Sequence, residues 1–224
     1  MSKTPLAVQA YRVIHERIIT MDLEPGQHLD EKQLINQLGM GRTPIREALL
    51  RLASDFLVET QPNKGFIVRP LAFQNIKTMF EALRILELGA ASLAIHQDPI
   101  RYLPMMQEAQ QKFKTAIKAD DLLGLVWENY NFHMHFAYCS ANEYLIRALK
   151  DVRNEANRLA YLSYRGKTGL NGNLKEHYKS VCTEHEQMMD YLKNKNLYRL
   201  KETIASHIQA FQQRVILYLT ASAV

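Results

Sequence analysis

From residue 71 onward, almost every segment repeats its apolar side chains at the spacing of an amphipathic helix, and this pattern constrains the fold most. Six such stretches cover about 73–96, 100–118, 121–139, 142–165, 174–194 and 197–220. Short polar breaks separate them, at Asp98-Pro99, Asp120-Asp121 and Gly166–Asn173 among others. Six helices of this length, joined by short turns and without strand signals, predict an antiparallel helical bundle over residues 71–224.

Residues 1–70 consist of shorter segments separated by turn signals. An apolar-periodic stretch over about 5–21 ends near a Pro-Gly turn. Asp30 is predicted to be the N-cap of a short helix that stops at Gly39, since Asp is favoured at helix N-caps and Gly where helices end. Thr43 is predicted as the N-cap of a third helix, with a proline at its first position.

Two β-like runs, Leu57–Thr60 and Phe66–Arg69, follow the third helix and flank a turn-forming segment. Three helices followed by a hairpin are the order of a winged helix-turn-helix. The chain is therefore predicted to be mainly α, with a winged helix-turn-helix DNA-binding domain over 1–70. An all-helical domain is predicted over 71–224.

Composition excludes several classes of protein. No apolar run approaches the roughly 18 residues that a membrane helix needs. The two cysteines are too few for a disulfide scaffold or a cysteine-based zinc site. Charged residues interrupt the N-terminus where a signal peptide requires an apolar core. We therefore expect a cytoplasmic protein without membrane contact. Its 28 basic and 23 acidic residues are spread along the chain, so DNA binding has to depend on particular arginines.

Arg42 and Arg46 stand four residues apart where the third helix begins, so they share one face. In a winged helix-turn-helix this turn enters the major groove, where an arginine suits the O6/N7 edge of guanine. The predicted DNA-contacting residues, including the hairpin tip, are Lys32, Arg42, Thr43, Arg46, Lys64 and Gly65. The alternative is that these charges form the solvated face of a small helical domain.

Four residues of the predicted bundle form a second candidate site. Asn129 and His133 are one helical turn apart, while His185 and His207 are 22 residues apart with Asn196 midway. If the chain reverses near Asn196, each histidine lies about 16 Å from the turn, so both are at one level. This arrangement predicts a divalent metal site inside the bundle. The alternative is that each histidine is a surface or hydrogen-bonded residue.

Several N-terminal segments resemble the DNA-binding domain of the GntR family of bacterial transcription regulators. They are Glu24–Leu29, Leu34–Gly39, Arg42–Leu52 and Asn63–Val68. The resemblance implies that the operator is contacted by four helix residues, Lys32, Arg42, Thr43 and Arg46. It also implies that the hairpin tip around Lys64 and Gly65 reaches the minor groove. Gly41 stands where a small hydroxyl residue is usual, and Asp55-Phe56 replaces an acidic-glycine pair.

Bundle segments resemble the FCD ligand-binding domain of the FadR subfamily, and six predicted helices indicate its VanR-like group. They are Arg84–Glu87, Asn129–His133, Ser140–Asn142, Glu184–Met189 and His207-Ile208. The resemblance implies that Asn129, His133, His185 and His207 hold a divalent transition metal such as Zn, Ni, Mn or Fe. Because neutral Asn129 replaces the usual acidic ligand, the bound metal ion would keep its full positive charge inside the bundle. This buried charge should favour the binding of an anion. We expect a small organic acid, with Arg84 as a second clamp.

These predictions combine into a ligand-responsive transcription regulator, a repressor in the usual case for the family. It would bind a palindromic operator as a homodimer, with operator affinity controlled by a small carboxylate. It is not predicted to be an enzyme, because no motif supplies a nucleophile with its base. Two alternatives stay open: the same regulator with a metal-free acyl-CoA-type effector, or a metal-dependent enzyme that uses the bundle histidines.

Overall fold

The computed structural model describes residues 4–62, 65–71, 75–165 and 171–222, without the side chains of 171–173 and 222. The chain divides into two compact units, Met1–Phe73 and Gln74–Val224. Lys64 and residues 166–170 of the predicted break lie outside the described residues. Within the described ranges, the helices are too short or too polar to cross a membrane.

The first unit packs three helices against a small antiparallel sheet. In chain order its elements are α1 (Leu6–Ile19), β1 (His28–Leu29), α2 (Glu31–Leu38), α3 (Arg42–Ser54), β2 (Val58–Gln61) and β3 (Gly65–Val68). Strand β3 lies between β1 and β2, and Phe66 is the register partner of both Leu29 and Thr60. Helix α1 packs on α3, and the core between them includes Ile14 and Leu49.

The helix ends confirm some of the expected capping and correct one prediction. Asp30 caps α2, because its side chain accepts hydrogen bonds from the backbone N–H groups of Lys32 and Gln33. Gly39 ends the helix in a left-handed conformation, at φ 62°. Thr43 does not cap α3: that helix begins at Arg42, after an extended Gly41 that offers no side-chain cap. The carbonyl of Gly41 already accepts the N–H of Ile45, at 3.4 Å, so Thr43 lies inside the first turn.

The predicted hairpin is present, but the short strand β1 was missed by the sequence analysis. Two residues, His28 and Leu29, are too few to show a period, and they become a strand only by pairing with β3.

The second unit contains the six expected helices within its described residues. They are α4 (Ile76–Ala94), α5 (Leu103–Ala119), α6 (Leu122–Tyr138), α7 (Glu143–Arg165), α8 (Asn171–Lys193) and α9 (Leu197–Ser222), with a 3₁₀ turn at Pro99–Arg101. Helix α5 packs on α6, α6 on α7, and both α4 and α8 on α9. The predicted fold class, mainly α with a winged helix-turn-helix followed by a helical bundle, is confirmed.

Candidate functional site

The two arginines at the start of α3 point away from the core of the first unit. The side chains of Arg42 and Arg46 are 75% and 54% exposed. Ile45, between them, is fully buried, because the helical period turns it to the opposite face of the helix. The structure therefore presents two guanidinium groups on one accessible face of this helix.

Three other predicted DNA-contacting residues are also exposed: Lys32, Thr43 and Gly65. Gly65 adopts φ 74°, a left-handed conformation that a side chain would strain, at the start of β3. Sequence analysis missed one residue of this surface. Glu31, the first residue of α2, forms ion pairs with both Arg42 and Arg46. Its signal in the sequence was weak, because an acid after a helix cap is common at any helix N-terminus.

Inside the bundle, His133 of α6, His185 of α8 and His207 of α9 come together. All three are buried, and one ring nitrogen of each lies within 4.8 Å of the others. The Nε2 atoms of His133 and His207 are 3.1 Å apart. Asn196 accepts a hydrogen bond from the N–H of Arg199 where α9 begins, so the chain reverses at the expected position.

Two of these imidazoles are oriented by hydrogen bonds at their other nitrogen. His185 Nδ1 lies 2.8 Å from Gln110 Oε1, and His207 Nδ1 lies 2.7 Å from Glu184 Oε2. If Nδ1 donates in both pairs, each Nε2 lone pair faces the cluster. The Nε2 atom of His185 is buried and has no hydrogen-bond partner among the described residues. Imidazoles that bind metals in proteins are held in this way by an acceptor behind the ring.

The third imidazole lies beside a buried ion pair. Arg153 Nε donates to Glu87 Oε1 at 2.7 Å and a second guanidinium nitrogen donates to the same oxygen, while His133 Nδ1 is 3.3 Å from that oxygen. Burial by itself raises the pKa of Glu87. Arg153 and His133 outweigh it, so the pKa of Glu87 falls well below its ordinary value. Glu87 is therefore a carboxylate in the centre of the bundle.

Burial also favours the neutral form of two of the imidazoles, His133 and His185. It lowers the pKa of His133 to about 3, with the Arg153 charge adding to the effect. Burial, reinforced by the neighbouring imidazoles, lowers the pKa of His185 well below its ordinary value. Phe132 covers one face of His185, with ring centroids 3.8 Å apart and planes 8° from parallel. A neutral imidazole is the form of histidine that binds a metal ion.

A cavity of about 20 Å³ adjoins the cluster, enough for a water-sized group. Its polar lining residues are Asn129, Arg153, Asn157, Tyr164, His177 and His207. The structure thus brings Asn129 to the cavity that His207 lines. It does not bring Arg84 there: that side chain is exposed on α4, and the guanidinium that lines the cavity belongs to Arg153.

The positions of Glu87 and Arg153 in the helical pattern mark them as buried charged residues, a signal that the sequence predictions did not use. Glu87 lies on the apolar face of α4, one turn after Leu83 and one turn before Ala90, and Arg153 lies four residues after Leu149 in α7. A charged residue on the buried stripe of a helix needs a partner. Arg84 was proposed for its planar guanidinium on the first bundle helix, but its side chain is exposed, whereas Glu87, three residues later, is buried.

The family is shown by comparison with known proteins. Residues 6–68 match the family model of bacterial regulatory proteins, gntR family, and residues 78–210 match that of the FCD domain. The chain is 34% identical over 135 residues to an uncharacterized HTH-type transcriptional regulator of Agrobacterium vitis, covering 59% of this chain and 79% of that one. It is 24% identical to the uncharacterized regulator YdhC of Bacillus subtilis, over 91% and 88% of the two chains.

The solved structure of E. coli McbR/YncC has the same fold, with a TM-score of 0.74 and 23% identity over 98% of this chain and 99% of that chain. The two matching family models define a DNA-binding transcription regulator, and the relatives named above are transcription regulators and not enzymes, as predicted. More specifically, the chain belongs to the GntR family and carries an FCD domain.

Proposed function

We propose that this regulator reads a palindromic operator as a homodimer in the cytoplasm, acting as a repressor. The domain over 1–70 makes the contacts, through Lys32, Arg42, Thr43, Arg46, Lys64 and Gly65. The observation that carries this proposal is the outward pair Arg42 and Arg46 at the N-terminal turn of α3. Arginine forks on this turn match guanine edges in the major groove.

We expect Arg46→Ala to weaken binding to the preferred duplex by about 1–3 kcal/mol and to relax the preference at one base pair. The measurement is selection of duplexes from a random library, followed by binding titrations. The unmodified chain should enrich an inverted repeat, because a two-fold dimer matches two-fold DNA. Arg51→Ala, at the other end of α3, is the control. Unchanged base preference in the Arg46 variant would contradict this mode of docking.

The proposed dimer is formed by the domain over 71–224. Ile85 of α4 and Tyr144 of α7 are 70% and 81% exposed, although these two helices pack against each other. Exposed apolar side chains that lie together on neighbouring elements form the kind of patch that marks a protein interface. A two-fold interface that buries them would also give the two-fold symmetry that a palindrome requires.

We further propose that His133, His185 and His207, with Asn129, hold a divalent transition metal of the Zn, Ni, Mn or Fe class, as in the VanR-like group. The support is the buried, unpartnered Nε2 of His185 and the short Nε2 to Nε2 distance between His133 and His207. Imidazole ligands suit these ions, and when bound such an ion supplies a positive centre for an anionic ligand. The residues present fit the metal.

The charges around the cluster support an anionic effector. Sequence analysis counted neutral ligands only, but Glu87 and Glu184 place two carboxylates behind His133 and His207. The positive charge of Arg153 balances the negative charge of Glu87. A divalent ion would bring two positive charges against the one negative charge of Glu184, so the site would keep a net charge of +1. A carboxylate would neutralise it. We therefore propose a small organic acid, clamped by Arg153 rather than Arg84, whose binding shifts operator affinity.

Calorimetric titration with a panel of small carboxylates tests this part of the proposal. We expect binding by the metal-loaded chain, and a loss of at least about tenfold in affinity after EDTA treatment. Acids that bind equally well after EDTA would count against the metal. A second cavity of about 610 Å³, which shares Tyr164 and includes Lys175 and Lys179, has room for a longer ligand. Preference for an acyl-CoA-type ligand, without metal dependence, would favour that alternative.

A further inference from the structure

One acidic side chain lies directly beneath the two outward arginines of the first unit. Glu31 Oε2 is 3.7 Å from Arg42 Nε, and Glu31 Oε1 is 3.6 Å from Arg46 Nη1. The Glu31 side chain is only 22% exposed, much less than either arginine. A single, largely covered carboxylate therefore holds two guanidinium groups that face solvent.

These contacts leave the arginines free to bind something else. Both distances exceed a hydrogen bond, so Glu31 acts on the guanidiniums through its charge and not by occupying their N–H groups. Each guanidinium has five N–H donors in a planar fork. Glu31 is itself held at the N-terminus of α2, where the helix favours a negative charge. The carboxylate is thus a fixed part of the surface.

A carboxylate at this position affects the two kinds of DNA contact differently. A phosphate that binds Arg42 or Arg46 brings a negative charge close to Glu31, and the two repel. A guanine edge is neutral and presents two acceptors, so it meets no such penalty. Phosphate contacts carry no sequence information, whereas base-edge contacts do. The charge of Glu31 therefore opposes the nonspecific use of both arginines.

We propose that Glu31 is a specificity-determining residue for DNA: it makes Arg42 and Arg46 poor ligands for phosphate and keeps both forks available for base edges. This inference rests on the proposed contact of the two arginines with DNA. Apart from the favourable position of its charge at the start of α2, the carboxylate makes ion pairs only with these two exposed side chains among the described residues.

The test compares Glu31→Gln with the unmodified chain on two probes: a random-sequence duplex, and the duplex that selection with the unmodified chain enriches. We expect the variant to bind the random duplex more tightly, so that the ratio of specific to nonspecific affinity falls about tenfold. The salt dependence on the random duplex should steepen by about 0.9 for each added phosphate contact. Glu31→Asp keeps the charge and should retain most of the ratio.

Glu16→Gln, which removes an exposed acid from α1, controls for net charge. An unchanged ratio in Glu31→Gln, or an equal fall in the Glu16 variant, overturns the inference. If Glu31→Gln weakens binding to both duplexes equally, the inference is also overturned, because that result indicates only a structural role for Glu31. In a chain that already carries Arg42→Ala and Arg46→Ala, Glu31→Gln should no longer change the ratio. If Arg46→Ala leaves the base preference unchanged, the proposed docking of α3 on DNA is wrong. If Arg46→Ala changes the base preference, the docking stands and the Glu31 variants test only the inference about Glu31.

Discussion

Replacing Glu87 with Gln should lower the free energy of unfolding of the helical unit by about 3–5 kcal/mol, measured by chemical denaturation in EDTA. The substitution keeps the size of the side chain but leaves the Arg153 guanidinium buried without a counter-charge. Removing one partner of a buried ion pair costs more than the pair itself contributes, because the remaining charge has lost its hydration. Against the effect of burial, Arg153 and His133 hold the pKa of Glu87 below its ordinary value, which favours an ionised pair.

The control is Glu81→Gln on the same helix. Glu81 is 57% exposed and pairs with Lys77 at 3.9 Å, so its loss should cost about 0–1 kcal/mol. A double variant, Glu87→Leu with Arg153→Met, should recover much of the stability, because it removes both charges together. Equal destabilisation by the Glu81 and Glu87 variants, or no recovery in the double variant, would contradict the buried pair as the cause.

The second large effect is expected at the histidine cluster. His185→Ala should weaken Zn²⁺ or Ni²⁺ binding by at least about 100-fold in calorimetry, since it deletes the ring whose Nε2 has no other partner. Gln110→Leu, which removes the acceptor behind that ring, should weaken binding by about 10–100-fold. The two effects together would identify His185 as a ligand that Gln110 orients.

His96→Ala is the matched control, because His96 is exposed in the same unit and lies outside the cluster. Since His185 stacks on Phe132, the variant also leaves a cavity, so its melting temperature in EDTA is measured beside its metal affinity. Metal bound with unchanged affinity by a folded His185 variant would remove this residue from the proposed site.

The pairing of His185 with His207 shows how far the sequence reached into the site. Their equal distance from Asn196 predicted that they would face each other, and their ring centroids are 5.2 Å apart. That prediction needed only the helical rise and one turn, both of which are local properties. The choice of Arg84 did not use the buried face of α4, which the helical period marks and which carries Glu87. That Arg153 of α7 lines the cavity instead depends on how the helices pack.

The sequence by itself determined the helices, most of their ends and the outward direction of Arg42 and Arg46, because periodicity and capping depend on neighbouring residues. Only the tertiary structure decided the partners. Arg153 and Glu87 are 66 residues apart, and His185 and Gln110 are 75 residues apart. A periodic pattern says which face of a helix is buried. It cannot say which side chain of another helix meets that face, because the packing of several helices sets that contact.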